Sequence, residues 1–412
     1  MIQEIIINFV KIAYMLFDII IIIYALYYII TGLFAFKANR EFELKKAKRG
    51  KNKFAILIPA RNEGDIIENL INSIMKQKYD KNFYDIYVIA NNCTDNTIKI
   101  CKELKVNVIE CVDNIKNKGD ALRYAFSYLK NEEKYQAYVI FDADNVVHPK
   151  FLSKINIALN KGYDVVQGNR ESKNPNDTWI SSSYTLFYLV QNYFFNRARV
   201  RMGFSSSING TGFAVTKNII DKYGFETKTI TEDIEYAGIC SLNNVKIYYE
   251  EEAITYDEQP IKFDASVKQR KRWSLGTIDC MNKYSSKLTK NAIKNKKFQS
   301  FDMALFYMAP IIQIITFFVI MSYMFANIII PGIAYNKVFA IVFSYITCVV
   351  FSFITLKLSK KKIRLYLKGI FTLPFFMVTW IPINIMCLFV KEITWEKIKH
   401  TKKIDIESII KS

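Results

Sequence analysis

Ala137-Tyr138-Val139-Ile140-Phe141-Asp142-Ala143-Asp144 is the stretch that decides the fold. A strand covered on both faces reads as a continuous apolar run, not as an alternation. This run is of that kind, and it ends on two carboxylates at alternate positions. Phe54-Ala55-Ile56-Leu57-Ile58-Pro59 reads the same way. Further strands are expected at 86–90 and 106–111, and helices at 65–77, about 95–104 and about 121–130. Strands alternating with helices predict an α/β domain with a mostly parallel sheet. Ligands of such sheets sit at the carboxyl ends of the strands, where Arg61, Asn91 and Asp142 fall.

Apolar segments flank this domain. Residues 5–36 are almost continuously apolar, interrupted by Lys11 and Asp18. The segment exceeds the ~20 residues that a bilayer helix needs. It also exceeds a signal peptide's apolar core, and no small-residue cleavage site follows. One retained transmembrane helix is expected. The strongly basic stretch 37–53 then lies in the cytoplasm and the amino terminus outside. Residues 181–200 are aromatic-rich and close with Arg197, Arg199 and Arg201, as an amphipathic helix on a membrane surface does. Residues 282–299 are Lys-rich and read as a second interfacial approach. Two apolar spans, 301–330 and 338–358, are joined by a turn at Pro331-Gly332, and a basic patch covers 357–364. The segment 365–390 carries Pro374 and Pro382. Lys391, Lys397, Lys399, Lys402 and Lys403 draw the tail to the cytoplasm, which a single crossing of that segment forbids. The segment therefore reads as broken, re-entrant or a tight hairpin. The expected division is a membrane helix (1–36), a cytoplasmic catalytic domain (37–280, with an interfacial helix near 181–201), a basic interfacial segment (281–300), a membrane region (301–390) and a cytoplasmic tail (391–412). No internal repeat is visible.

The formal charge is +19, from 57 Lys and Arg against 38 Asp and Glu. Such a balance fits an anionic membrane face or a phosphorylated substrate. Nucleic acid is not an expected partner: the basic residues gather beside apolar segments, and no zinc-finger, Arg-rich or RNA-recognition signature is present. The seven cysteines include no CxxC pair, and Cys93, Cys101 and Cys111 form the nearest group. They read as reduced thiols facing the cytosol. His148 and His400 are the two histidines, too few for an ordinary zinc site.

Three short motifs carry chemistry. Asp142 and Asp144 offer hard oxygens suited to Mg²⁺ or Mn²⁺, and a diphosphate leaving group needs such a cation. A bare Asp-x-Asp is also a common solvated strand-end turn. Its place after a strand and before two later motifs favours the functional reading. Thr231-Glu232-Asp233 supplies the carboxylate that a transfer with a single base requires. The same triplet is a helix-capping pattern, and the two roles are compatible. Gln269 and Arg272 lie one helical turn apart on one face. Arg272 can pair with diphosphate oxygens, and Trp273 offers a flat face to a sugar ring. A basic helix at a membrane surface would explain Arg270 and Lys271, but not the Gln and the Trp.

In this order the motifs resemble the D, DxD, TED, QxxRW series of membrane-embedded family 2 glycosyltransferases, such as cellulose, hyaluronan and poly-N-acetylglucosamine synthases. The resemblance covers about residues 54–275. It implies a GT-A-type, Rossmann-like nucleotide-sugar domain inserted between transmembrane helices. It makes Asp233 the base, with Glu232 and Thr231 beside it, and puts Trp273 at the acceptor site beside a membrane channel. Arg61-Asn62-Glu63 resembles the nucleotide-contacting loop. Ala90-Asn91-Asn92-Cys93-Thr94-Asp95-Asn96-Thr97 resembles the loop Asp-Asp-x-Ser-x-Asp-x-Thr, with Ala90 and Asn91 replacing its two leading acids. Asn91 can still accept from a uracil ring, without charge. Lys118-Gly119-Asp120-Ala121-Leu122 matches the Lys-Gly-x-Ala-Leu helix start, where Lys118 favours a phosphate. Asn209-Gly210-Thr211-Gly212-Phe213 stands in place of the acceptor-facing loop, and Gly210 and Gly212 let backbone approach a ligand. It is not the Phe-Phe-Cys-Gly-Ser form of cellulose synthases, so their product is not carried over. The donor contacts implied are Arg61, Glu63, Asn91, Lys118, Asp142, Gln269 and Arg272.

What the resemblance implies is an inverting, metal-dependent enzyme of the cell membrane, multi-pass, with its catalytic domain in the cytoplasm. It would extend a β-linked polysaccharide from a UDP-sugar, UDP-glucose first and the N-acetylglucosamine donor second, and pass the chain through its own helices. Its partners are the UDP-sugar, the growing glycan acceptor and the lipid bilayer, with accessory proteins unspecified. Trp395 and His400-Thr401 lie in a tail that can cover the site. One rival is a transferase that adds a single sugar to a membrane lipid. Another is a scaffold or transporter component without catalysis, which has no need of three spaced acidic sites.

Overall fold

The computed structural model describes residues 2–37, 50–112, 115–329, 335–390 and 402–411. Helix α1 spans Ile2–Leu33. The domain that follows runs β1 (Phe54–Ala60), α2 (Ile67–Met75), β2 (Tyr84–Ala90), α3 (Thr97–Glu103), β3 (Asn107–Glu110), α4 (Lys118–Tyr128), β4 (Ala137–Ile140), β5 (Val146–Val147), α5 (Phe151–Asn160) and β6 (Val165–Ser172). Helix α6 (Trp179–Val190) passes through a π-helical turn, Gln191–Arg197, into α7 (Ala198–Met202). Then come β7 (Phe213–Thr216), α8 (Lys217–Tyr223), α9 (Glu232–Leu242), β8 (Ile247–Asp257) and α10 (Phe263–Lys294). Helices α11 (Phe298–Tyr307), α12 (Ala309–Ile329), α13 (Tyr335–Leu358), α14 (Leu367–Val378), α15 (Trp380–Phe389) and the short α16 (Ile406–Lys411) complete the described chain.

The strands form one eight-stranded sheet in the order β3-β2-β1-β4-β7-β6-β8-β5. The first half is parallel, as the apolar runs imply. The sheet as a whole is mixed but mostly parallel: β6 and β8 also pair in parallel, whereas β7 runs antiparallel to both β4 and β6, and β5 antiparallel to β8. Helix α6 and the π turn intervene between β6 and β7, so β7 enters the sheet from the opposite end. Side chains of β1 alternate between two buried layers. Phe54, Ile56 and Ile58 pack with α2 and α5. Ala55 and Leu57 pack with α4 and α9. Burial on both faces explains why β1 and β4 carry no polar alternation. The register Ala60↔Ala90 and Leu57↔Ile140 brings the carboxyl ends of β1, β2 and β4 to one edge.

Among the described residues, three helices are long and apolar enough to cross a membrane: Ile12–Phe36, Ile341–Leu358 and Ile363–Phe389. A fourth is added if α11 and α12, bent by 53°, count as one broken span. The chain is thus built as a membrane protein. The sharp bend lies between α11 and α12, whereas the 365–390 segment is interrupted at the single residue Thr379. The Lys-rich stretch after 281 is no separate segment, because α10 continues through it to Lys294. The turn at Pro331-Gly332, most of the basic stretch 37–53, and Trp395 and His400-Thr401 lie outside the described residues.

The membrane helices are tied to the domain by buried polar contacts. Arg199 of α7 grips Asp302 of α11 through two hydrogen bonds of 2.9 Å, and Tyr27 of α1 donates to the same carboxylate at 2.6 Å. Arg199 is 1% exposed, so this pair stands or falls together: removing one partner leaves an uncompensated buried charge. Arg270 of α10 does the same for α14 and α15. Its guanidinium donates to the Phe376 carbonyl at 3.1 Å and to the Thr379 hydroxyl at 2.7 Å, where the helix is interrupted.

Candidate active site

The carboxyl ends of β1, β2 and β4 open into a cleft of about 190 Å³. Its wall includes Arg61, Glu63, Asn91, Lys118, Asp142 and Asp144 from the parallel half, and Gly210, Thr231, Glu232 and Asp233 from the loops before α9. Helix α10 closes it with Gln269, Arg272 and Trp273. These residues come from points more than two hundred positions apart in the chain. Thr211 and Gly212 are not on the wall. Thr211 is buried behind it, where its hydroxyl donates to Asn145 and accepts from the Asp142 backbone N–H at 3.0 Å. Gly212 donates its N–H to the Ile140 carbonyl at 2.9 Å and has φ +62° with no room for a Cβ against Thr255.

Local structure places each group. Backbone of the Arg61-Asn62-Glu63 loop is held by the neighbouring loop. Asp95 accepts from the Gly64 N–H at 3.0 Å and Thr97 from the Glu63 N–H at 2.9 Å. Asn91, two residues before Cys93, hydrogen-bonds by its backbone N–H to the Ala60 carbonyl at 2.9 Å, and its side-chain Oδ1 is buried without a partner. Lys118 opens α4, with Asn117 capping the helix by accepting from Asp120 N–H at 2.9 Å. Glu232 opens α9. Thr231 sits at the cap position but makes no capping hydrogen bond, and its hydroxyl is buried unpartnered. Gly210, at φ +76°, packs so closely that a Cβ there would lie 3.2 Å from Asp233 Oδ2.

The cleft concentrates charge. Lys118 Nζ lies 2.5 Å from Asp142 Oδ1 and 3.2 Å from Glu232 Oε1, and donates to the Gly210 carbonyl at 2.5 Å. Burial alone would lower its pKa, but Asp142, Glu232 and Asp233 outweigh that and hold it above the usual lysine range. Arg170, at the end of β6, pairs with Asp257 and donates to the Asn209 carbonyl at 2.9 Å, with its guanidinium 4.2 Å from the Tyr188 ring centre. Burial, and then the charge of Glu232, push the Asp233 carboxyl up to about 7, against the pull of Lys118 and Arg170. Arg170, Asp257 and Glu258 were not singled out from the sequence. The signal in the sequence is that charged residues stand at or near the ends of β6 and β8, as Asp142 stands just past β4.

Asp142 and Asp144 present hard oxygens at the mouth of the sheet. Asp144 Oδ2 accepts from the Glu258 N–H at 3.3 Å. Among the described residues no cluster of three or more His, Cys, Asp or Glu is placed to hold a metal ion. A divalent cation at this pair would take its remaining oxygens from a bound phosphate or water, which is how Mg²⁺ is usually held. The donor set fits such an ion.

A second cavity, of about 240 Å³, begins at Asp233 and Trp273 and runs between α6, α11, α12 and α15. Trp273 and Arg170 line both spaces. Trp273 and Trp380 lie 6.3 Å apart at 30°, and the Trp380 Nε1 donates to Ser274 Oγ at 3.1 Å. The geometry can hold a phosphorylated ligand on one side of Asp233 and an amphipathic one on the other.

A Rossmann-like mixed sheet with strand-end carboxylates and a helix-borne Gln-x-x-Arg-Trp defines a GT-A-type glycosyltransferase. Residues 51–276, more than half the chain, match the family described as glycosyltransferase like family 2, and the chain belongs to that family. It is 25% identical over 267 residues to the probable glycosyltransferase YdaM of Bacillus subtilis, covering 62% of this chain and 61% of that protein. It is 24% identical over 273 residues to poly-beta-1,6-N-acetyl-D-glucosamine synthase of Staphylococcus aureus, covering 65% and 63%. The match thus spans about three-fifths of those relatives' length. The structure is similar to the mannosyltransferase PcManGT of Pyrobaculum calidifontis, in complex with GDP-Man and Mn²⁺, with TM-score 0.60 and 13% identity, covering 91% of this chain and 96% of that one.

The pH dependence follows from the sign of the Asp233 shift. Were Asp233 to serve as a base, it would do so only when deprotonated, and kcat/KM would fall as pH drops below about 7. Glu232→Gln removes a neighbouring negative charge and should move that acid limb to lower pH. A pH–rate profile of both proteins checks this, and a limb that stays in place would detach it from Asp233.

Proposed function

We propose that the chain is an inverting glycosyltransferase that extends a β-linked polysaccharide from a nucleoside-diphosphate sugar, with Asp233 as the single base. The observation that carries this reading is the position of Asp233 at the junction of the two cavities. The polar cleft on one side supplies cations and carboxylates for a diphosphate. The aromatic cavity on the other suits a sugar chain.

In this reading Arg61, Glu63 and Asn91 face the nucleoside, and the orphaned Asn91 oxygen accepts from a base N–H. Lys118, Gln269 and Arg272 face the diphosphate. Asp142 and Asp144 hold Mg²⁺ or Mn²⁺, whose contribution is to neutralise charge on the leaving diphosphate. Asp233 takes the proton of the acceptor hydroxyl. Lys118 and Arg170 favour its charged form, and burial opposes it. Trp273 stacks the acceptor ring without fixing its hydroxyls, so the chain can advance.

UDP is the first choice of nucleotide. Glucose is the first choice of sugar and N-acetylglucosamine the second, and the likeness to the poly-N-acetylglucosamine synthase supports the second. The basic flanks support a catalytic domain in the cytoplasm and a multi-pass chain in the cell membrane. Tail residue Ile406 is buried against Val146 and Tyr256, and Lys76 pairs with Asp405 and Glu407 at 3.1 and 3.0 Å. A tail docked on the catalytic domain supports an even number of full crossings between α10 and the tail.

Three experiments test this reading, and the third separates it from its rival, transfer of one sugar to a membrane lipid. Asp233→Asn should cut transfer by ~10²–10⁴-fold, the usual worth of a general base, while nucleotide-sugar binding survives. Substantial residual synthesis in purified membranes would remove Asp233 from the role. Chelation with EDTA should stop activity and Mg²⁺ or Mn²⁺ restore it, and full activity in chelator would contradict the Asp142–Asp144 assignment. Trp273→Ala should shorten the polymer on a sizing gel, with Trp273→Phe retaining part of its length. An identical single-sugar product from both variants would leave the lipid acceptor standing.

A further inference from the structure

A third cavity, of about 190 Å³, shares no lining residue with the cleft or the aromatic cavity. It lies between β6, β8, the π turn and the end of α13, with Glu171, Tyr193, Arg197, Glu251, Leu358 and Lys360 on its wall. The ends of two candidate spans meet beside it. The Phe194 ring lies 6.0 Å from that of Phe36, which ends one span, and 4.5 Å from that of Phe351, near the end of the other. Arg201 fastens the first end by donating to the Ala35 and Lys37 carbonyls at 2.8 and 2.7 Å. The second span stops at Leu358. Lys360, at φ +55°, turns the chain back there: its N–H bonds to the Lys357 carbonyl at 3.2 Å, and that of Lys361 to the Leu356 carbonyl at 2.9 Å. Exposed side chains change at this level from apolar, as at Phe36 and Ile354, to basic, at Lys357, Lys360, Lys362 and Arg364. A membrane boundary has this signature.

Charge decides what the cavity takes. Glu251 pairs with Arg197 at 3.0 Å and with Arg201 at 3.5 Å, and Glu171 pairs with Lys361 at 2.7 Å. Glu250 and Glu252 do not line the space, and Glu252 pairs with Lys154. Among the described residues no carboxylate pairs with Lys360. Four cations, Arg197, Arg201, Lys360 and Lys361, therefore stand around two carboxylates that are already answered. A metal ion or an amine would add to the positive excess, and an acyl chain alone would leave it uncompensated. A phosphate answers it, and the forked N–H donors of arginine match phosphate oxygens. We infer that this cavity binds the phosphodiester headgroup of an anionic glycerophospholipid. Lys360 and Arg197 hold the phosphate, and the acyl chains lie against the exposed apolar ends of the two spans. Basic pockets at the cytoplasmic ends of membrane helices take such headgroups. The inference is independent of the sugar and of the acceptor.

The test uses the full chain, delipidated in a neutral detergent, with native mass spectrometry to measure what stays bound. The probes are short-chain phosphatidylglycerol, short-chain phosphatidylcholine and glycerol 3-phosphate. Wild type should prefer phosphatidylglycerol to phosphatidylcholine. Lys360→Gln should weaken phosphatidylglycerol binding about fivefold, the worth of one cation at an anionic lipid, and Arg197→Gln by at least as much. Arg364→Gln removes the same charge from the neighbouring patch outside the cavity and should change binding by less than about twofold, as for a solvated, screened charge. Equal losses from Lys360→Gln and Arg364→Gln would reduce the effect to diffuse attraction and overturn the site. Equal binding of phosphatidylcholine would overturn it as well. Displacement of the lipid by glycerol 3-phosphate at similar concentration would assign the cavity to a soluble phosphate ester and overturn the lipid source. Arg197→Gln breaks an ion pair; if it does not fold, the exposed Lys360 and Arg364 variants decide alone.

Discussion

The site depends on one constraint: seven acidic side chains, Glu63, Asp142, Asp144, Glu232, Asp233, Asp257 and Glu258, line a single cleft. Two like charges 4 Å apart repel by about 4 kcal/mol at the effective dielectric of a protein surface. Such a cleft persists only if cations are built into it. Lys118 answers for Asp142 and Glu232, and Arg170 for Asp257. Each cation also bonds to the backbone of the 209–210 loop, so the charge balance fixes that loop's position beside Asp233. What remains of the imbalance appears in the raised pKa of Asp233. That is the proton affinity a general base near neutral pH needs.

Helix α10 carries this arrangement to the membrane helices. Four of the five residues of one motif face three ways. Gln269 and Arg272 face the cleft, Arg270 is buried against the α14–α15 interruption, and Trp273 stands in both cavities. Ser274 adds the bond to Trp380. A shift of α10 would move the cleft wall and the aromatic wall together, so donor and acceptor geometry are mechanically linked.

Much of this was legible in the sequence. Runs such as 54–58 and 137–141 can be buried on both faces only as inner strands, and the acids after them then fall at the sheet's ligand edge. Gln269 and Arg272 share a helical face at any register. The rest required three dimensions. β7 is apolar like its neighbours, and nothing in Phe213–Thr216 reveals that it runs antiparallel. Arg170 and Asp257 lie on separate strands, and their partnership depends on β6 and β8 lying side by side. Thr211 and Gly212 sit in a motif that points toward the ligand, but the turn after Gly210 sends them into the wall.

The central claim is displacement at the sugar carbon with Asp233 as the only base and no enzyme nucleophile, which inverts the anomeric configuration. The most direct measurement is the NMR assignment of the anomeric proton in the first product formed from an α-configured UDP-sugar by wild-type protein. The account predicts a β-linkage, with the large axial–axial coupling of a β-gluco-configured ring. An α-linked product would contradict it, since retention requires a second, covalent step for which no role has been assigned.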